Sequence, residues 1–105
     1  MKNSDLVFFE EKLNEIPEDV LLDAINCLNN VIPRHNKKEI STLIDRYGSH
    51  KWIYAVNDHF HWGMYIRNKL RSSNLPDNLL PDNNWDDYYV LVIEIVVSKR
   101  KIPVK

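Results

Sequence analysis

Two prolines, Pro17 and Pro33, bracket the segment that most constrains how this chain folds. Between them Val20, Leu21, Ala24, Ile25, Leu28, Val31 and Ile32 recur at the i, i+3, i+4, i+7 spacing that lines one stripe of a helix. Asp23, Asn26, Asn29 and Asn30 fall on the wet side. Pro17 suits the first helical position, and Glu18 and Asp19 suit the positive end of the helix dipole. Pro33 stops the helix. An apolar stripe of this length must be buried against other elements, so the rest of the chain is read for helices able to cover it.

Residues 5–15 read as a short helix capped by Asp5, with Leu6, Phe9 and Leu13 at helical spacing and Phe8 and Ile16 beside them. Arg34 to Lys38 read as a polar turn. Asn36 caps a helix over residues 37–47 with Ile40, Leu43, Ile44 and Tyr47 inside. Gly48, one of only two glycines, supplies its left-handed end. Residues 49–57 suit either a short helix or an irregular packed segment. Asp58 caps a central helix at residues 59–71. Residues 72–84 form a connector in which two Pro-Asp-Asn stretches mark turns and leucines reach the core. Residues 88–97 have strong β propensity. Asp86 and Asp87 nevertheless match a helix start, and Lys99, Arg100 and Lys101 a helix end. A buried last helix is therefore expected over residues 86–101, with a strand pairing two copies of the chain as the alternative. The fold class expected is all-α: a compact bundle of four to five short helices in a single domain spanning residues 1–105, with a basic tail at residues 99–105 that frays.

The 105 residues carry a net charge of -1, which gives no global field toward nucleic acid or membrane. The charge is uneven: residues 1–30 hold two lysines against seven acids, whereas residues 99–105 hold four cations and no acid. Solvated helix faces and a frayed tail account for this. The single Cys27 excludes an internal disulfide and a multi-cysteine zinc site. At the edge of the apolar stripe, with no basic neighbour in sequence, it reads as an inert thiol. No apolar run approaches the roughly 18 residues that cross a bilayer, and the acidic start does not resemble a signal peptide. The expected location is cytoplasmic.

Chemistry concentrates in His59-Phe60-His61-Trp62-Gly63-Met64-Tyr65-Ile66-Arg67-Asn68-Lys69-Leu70. Gly63 costs about 1 kcal/mol against alanine inside a helix, so it is expected to admit a close backbone or a large ring, with Trp52, Trp62 and Tyr65 as candidates. His59 and His61 sit two apart and point to different sides of a helix, unlike the i, i+4 pairs that hold metals. His59 is expected to hydrogen-bond within the helix packing and His61 to be exposed. No metal or cofactor is expected. Arg67 on a semi-apolar face needs a partner, and Asp86 or Asp87 is the natural one. Arg67, Lys69, Arg71 and Lys51, with Trp62 or Trp52 for stacking, make only a small nucleic-acid patch, with little counterion-release drive. No catalytic triad, P-loop or glycine-rich turn is present.

The central stretch also resembles a family of short, uncharacterised proteins of bacteria and their phages. Its hallmark is a helix of the pattern H-x-x-x-G-M-x-I-R-N, followed by an H-P-D-D turn that opens the last helix. His59, Gly63, Met64, Ile66, Arg67 and Asn68 match the first motif. Asn84-Trp85-Asp86-Asp87 keeps the two aspartates of the second but lacks its histidine and proline. The family's tryptophan segment after Arg-Asn is replaced by Lys69-Leu70-Arg71. The resemblance implies a small all-helical domain and no particular activity.

The function expected is that of a small protein-binding module, an inhibitor or immunity-type protein of a phage or bacterial conflict system, rather than an enzyme. The expected contact residues are His59, Trp62, Arg67, Asn68, Asp86 and Asp87, since aromatic anchors ringed by charge typify interaction surfaces. The alternative is a small-ligand, anion-binding or hydrolytic domain with a polar cleft around His59, Arg67 and Asp87.

Overall fold

The structure, a computed structural model, describes residues 11–81 and 84–98. Among them it is all-α, with no strand. A helical turn at residues 11–14 leads to α1 (Glu18–Val31), α2 (Arg34–Tyr47), a 3-10 turn (Lys51–Ala55) and α3 (His59–Ser72). Two further 3-10 turns, Asp77–Leu79 and Trp85–Asp87, precede α4 (Tyr89–Ser98). The radius of gyration, 12.8 Å, is that of a compact chain of this length.

The proline-bracketed stripe folds as its spacing predicts. Val20, Leu21, Ala24, Leu28 and Ile32 are buried and Asp23, Asn26, Asn29 and Asn30 are exposed. Pro17 is one place earlier than expected: it is the N-cap, in an extended conformation, and Glu18 opens the helix. The same device operates at α2. Pro33 is its N-cap and Arg34 its first residue, so Arg34 to Lys38 are helix rather than a turn, and Asn36 does not cap it. A proline caps both helices because its fixed φ is already close to helical and it has no N–H to leave orphaned. Tyr47 is exposed rather than inside, while Ile40 and Ile44 carry the buried face. Gly48 ends α2 at φ 89°, which a side-chain-bearing residue rarely adopts.

α4 is the hub. It packs against both α1 and α2, and α3 packs against α1. Leu91, Val92, Ile93 and Ile95 are buried on all sides, with Val90, Val96 and Val97 partly buried around them. This burial overrides the β preference of valine and isoleucine, because a lone segment surrounded by helices can satisfy its backbone only internally. The helix is shorter than the span 86–101: Asp86 and Asp87 belong to the preceding 3-10 turn, not to its first turn. Asn84 accepts from Asp86 N at 2.9 Å and caps that turn. Asp5, Leu6, Phe8, Phe9 and the basic tail from Lys99 lie outside the described residues.

The connector is pinned by polar atoms as well as by leucines. Leu75 and Leu80 are buried, whereas Leu79 is exposed. Trp85 is fully buried and donates its indole N–H to Leu75 O at 2.8 Å. Asp77 accepts from Arg71 Nε at 3.1 and 3.2 Å and from Trp85 N at 3.2 Å. The N-terminal turn is fastened to the start of α4, where Tyr88 donates its hydroxyl to Glu15 at 2.9 Å and Lys12 lies over its ring.

Candidate functional site

The site is built where the Tyr89 side chain, from the start of α4, reaches α3. Gly63, Ile66 and Leu70 form the buried stripe of α3. A Cβ placed on Gly63 would lie 2.6 Å from the Tyr89 hydroxyl oxygen and 3.2 Å from Tyr89 Cζ. The glycine therefore admits a ring, as expected, but that ring is Tyr89 from α4, not Trp52, Trp62 or Tyr65. Arg67 lies one turn on. Its Nε is 2.6 Å from Asp86 Oδ1, and its guanidinium sits 5.0 Å from the centre of the Tyr89 ring. Of the two aspartates proposed for Arg67, Asp86 is thus its partner; the Asp87 side chain lies outside the described residues. Burial pushes the Tyr89 hydroxyl up from its ordinary 10.0, against the opposing pull of the Arg67 charge.

A cleft of about 230 Å³ opens beside this joint. His50, Lys51, Tyr54, His59, Asp86 and Tyr89 line it, with Ile53 and Val90 as apolar wall. One wall rests on a feature that the sequence reading missed. Glu94 of α4 is fully buried and accepts hydrogen bonds from Ser49 Oγ (2.7 Å), His50 N (3.1 Å) and Trp52 Nε1 (3.2 Å). A buried carboxylate survives only when its lone pairs are satisfied, and here they fasten segment 49–52 to α4. His50 is held at φ 68° within that segment. A single Glu in the run Tyr89–Ser98 was the available signal, since a charge amid that many apolar residues must be either exposed or intensively partnered.

The remaining candidates go elsewhere. Trp62 meets Trp52 edge-on, with centroids 6.4 Å apart, and lines a second groove of about 440 Å³ with Ile40, Leu43 and Val56 of neighbouring elements. Asn68 accepts from Arg71 Nη1 at 2.9 Å on the outer face of α3. His59 is exposed instead of bonded within the packing, with its ring edge-on to Tyr54 at 5.6 Å. His61 is exposed as expected and pairs with Asp58 at 2.8 Å. Asp58 occupies the cap position of α3 but in a left-handed conformation, with its carboxylate on His61 rather than on a backbone N–H. Cys27 is half-buried and donates its thiol to Ser73 Oγ at 3.3 Å. The structure therefore gathers His59, Arg67 and Asp86 around one joint and places Trp62 and Asn68 outside it.

Two consequences follow for chemistry. The cationic run of α3 is largely neutralised, because Arg67 pairs with Asp86 and Arg71 with Asp77. No group of three or more His, Cys, Asp or Glu residues placed to hold a metal ion occurs among the described residues, and no helix there is long and apolar enough to cross a membrane. The chain matches no protein-family model, no curated protein and no solved structure among those searched.

Proposed function

We propose that the protein is a small protein-binding module of the inhibitor or immunity type, with the solvent face of the first two turns of α3 as its docking surface. The observation that carries this is exposure: Phe60 is 63%, Met64 37% and Tyr65 49% exposed on the broad outer side of α3. Isolated exposed apolar residues are ordinary, but several large ones gathered within two helical turns mark a contact surface. His61 completes the patch, edge-on to Phe60 at 5.5 Å, and Lys69 lies 5.4 Å from the Tyr65 ring centre at its end. Large rigid rings beside a cation suit a folded partner that offers an apolar pocket with an acidic rim. The contact set expected from the sequence shifts accordingly, from Trp62 and Arg67, which the fold engages, to Phe60, Met64 and Tyr65, which it leaves open.

A photo-crosslinking amino acid placed at Phe60 or Tyr65 in the full chain tests this, with Thr42 on the exposed side of α2 as control. The proposal expects one stoichiometric heterologous protein from positions 60 and 65 and none from 42, with capture lost in Phe60→Ser. Equal capture at all three positions, or crosslinks only to a second copy of the chain, overturns it.

A further inference from the structure

We propose that the cleft between segment 50–54, the start of α3 and the start of α4 is a binding site for a small planar anion, an aromatic or conjugated carboxylate. Three observations carry it. The first is charge. Asp86 lines the cleft, but its carboxylate is matched by Arg67 at 2.6 Å. Lys51 lines the same cleft, is exposed, and forms no ion pair among the described residues. Among the charged side chains that line the cleft, Lys51 is thus the one without a counter-charge among the described residues, which favours an anion over a cation; the Glu94 carboxylate lies behind the wall with its oxygens taken up by Ser49, His50 and Trp52. Electrostatic attraction of this kind is strongest in a concave site with low-dielectric walls.

The second is shape and surface. The rings of Tyr54 and His59 stand edge-on at an interplanar angle of 76°, and Tyr89, Ile53 and Val90 complete the wall. Rings and branched aliphatics accept a flat apolar body, while the Lys51 ammonium and the His59 imidazole supply donors for oxygens. At about 230 Å³ the cleft is smaller than the roughly 300–1,000 Å³ of sites that enclose drug-sized molecules, so its occupant is a small one.

The third is the construction beneath it. Gly63 forgoes a side chain where the Tyr89 hydroxyl lies, and buried Glu94 holds the segment that carries His50 and Lys51. Neither a glycine inside a helix nor a carboxylate inside a core is the ordinary choice at such a position, and both fix residues that line this one cleft. Local departures from a simple core of this sort collect at binding sites.

The inference goes beyond the docking surface, uses different residues, and is tested on the free protein, so the two stand or fall separately. Benzoate is titrated into isotope-labelled protein and backbone amide shifts are followed, with benzamide as the uncharged isostere and inorganic phosphate as the anion without a ring. Saturable shifts confined to residues 50–54, 59 and 86–90 are expected with benzoate and with neither control. Lys51→Met and Tyr54→Ala, both at exposed positions, should each weaken benzoate by about threefold, the first through loss of an exposed charge contact and the second through loss of a ring contact. Absence of saturable shifts overturns the proposal. So does equal binding of benzamide, which would show that charge is not recognised, or of phosphate, which would show that the ring is not. Shifts centred on Phe60 and Tyr65 also overturn it.

Discussion

Gly63→Ala places opposing effects of known size against each other. Alanine relieves about 1 kcal/mol of helix-propensity cost inside α3. The added methyl meets the Tyr89 hydroxyl at 2.6 Å, Arg67 Nη1 at 3.1 Å and Tyr89 Cζ at 3.2 Å. The Tyr89 side chain cannot swing clear, because it is 7% exposed and lies against the Arg67 guanidinium. Overpacking of this kind costs about 1–3 kcal/mol, so the clash outweighs the propensity gain. The variant is expected to lose about 1 kcal/mol, a fall of roughly 4 °C in melting temperature for a domain of this size. Tyr89→Phe removes the closest contact and leaves only the flexible arginine tip and the ring edge. In that background the same alanine should be neutral or gain up to about 1 kcal/mol. Urea unfolding of the four proteins in this cycle should therefore give a coupling of about 1–2 kcal/mol, within the range found for touching residues. If Gly63→Ala shifts stability equally in both backgrounds, the glycine does not serve to admit Tyr89 and the account of the joint is wrong.

Glu94→Ala leaves the hydroxyl of Ser49, the amide of His50 and the indole of Trp52 without this acceptor. At about 1–3 kcal/mol for each buried orphan, the loss approaches the whole stability of a small domain; Glu94→Gln should lose less in chemical denaturation, and equal losses would refute the network. Arg67→Ala breaks the pair with Asp86, whose side chain is 53% exposed. Solvent screening keeps the expected loss to about 1–2 kcal/mol, Arg67→Lys should recover only part of it, and an unchanged melting temperature would contradict a structural pairing. The Tyr89 hydroxyl has a folded-state pKa above its unfolded value. Its contribution is therefore full below about pH 10 and is lost as pH rises past that point, so melting temperature should fall less steeply with alkaline pH in Tyr89→Phe than in the parent.

The identity and the periodicity of residues settle much of this fold before any tertiary contact is considered. Pro17 and Pro33 with the apolar stripe between them dictate α1, because helical spacing and a missing N–H are local properties. Gly48 marks the end of α2 for the same reason, and Gly63 announces a close approach, because a glycine inside a helix needs a compensating neighbour. A charge on a semi-apolar face also announces its need for a counter-charge, which is why Arg67 is legible from sequence as a partner of Asp86 or Asp87, and the fold supplies Asp86.

What the sequence does not contain is the choice among distant partners that are locally equivalent. Trp52, Trp62, Tyr65 and Tyr89 are all large rings, and only the tertiary arrangement brings Tyr89 onto Gly63. Glu94 looks like a stray charge in an apolar run until segment 49–52 folds back and surrounds it with donors more than 40 residues away in sequence. Residues 88–97 favour extended structure by propensity, and burial among α1 and α2 reverses that preference. Phe60, Met64 and Tyr65 have the composition of core residues, and only the packing of α3 on its Gly63, Ile66 and Leu70 stripe turns them outward. Local sequence thus determines which segments are helical and what each residue needs, whereas long-range packing decides which of several adequate partners supplies it and which apolar residues are left for another molecule.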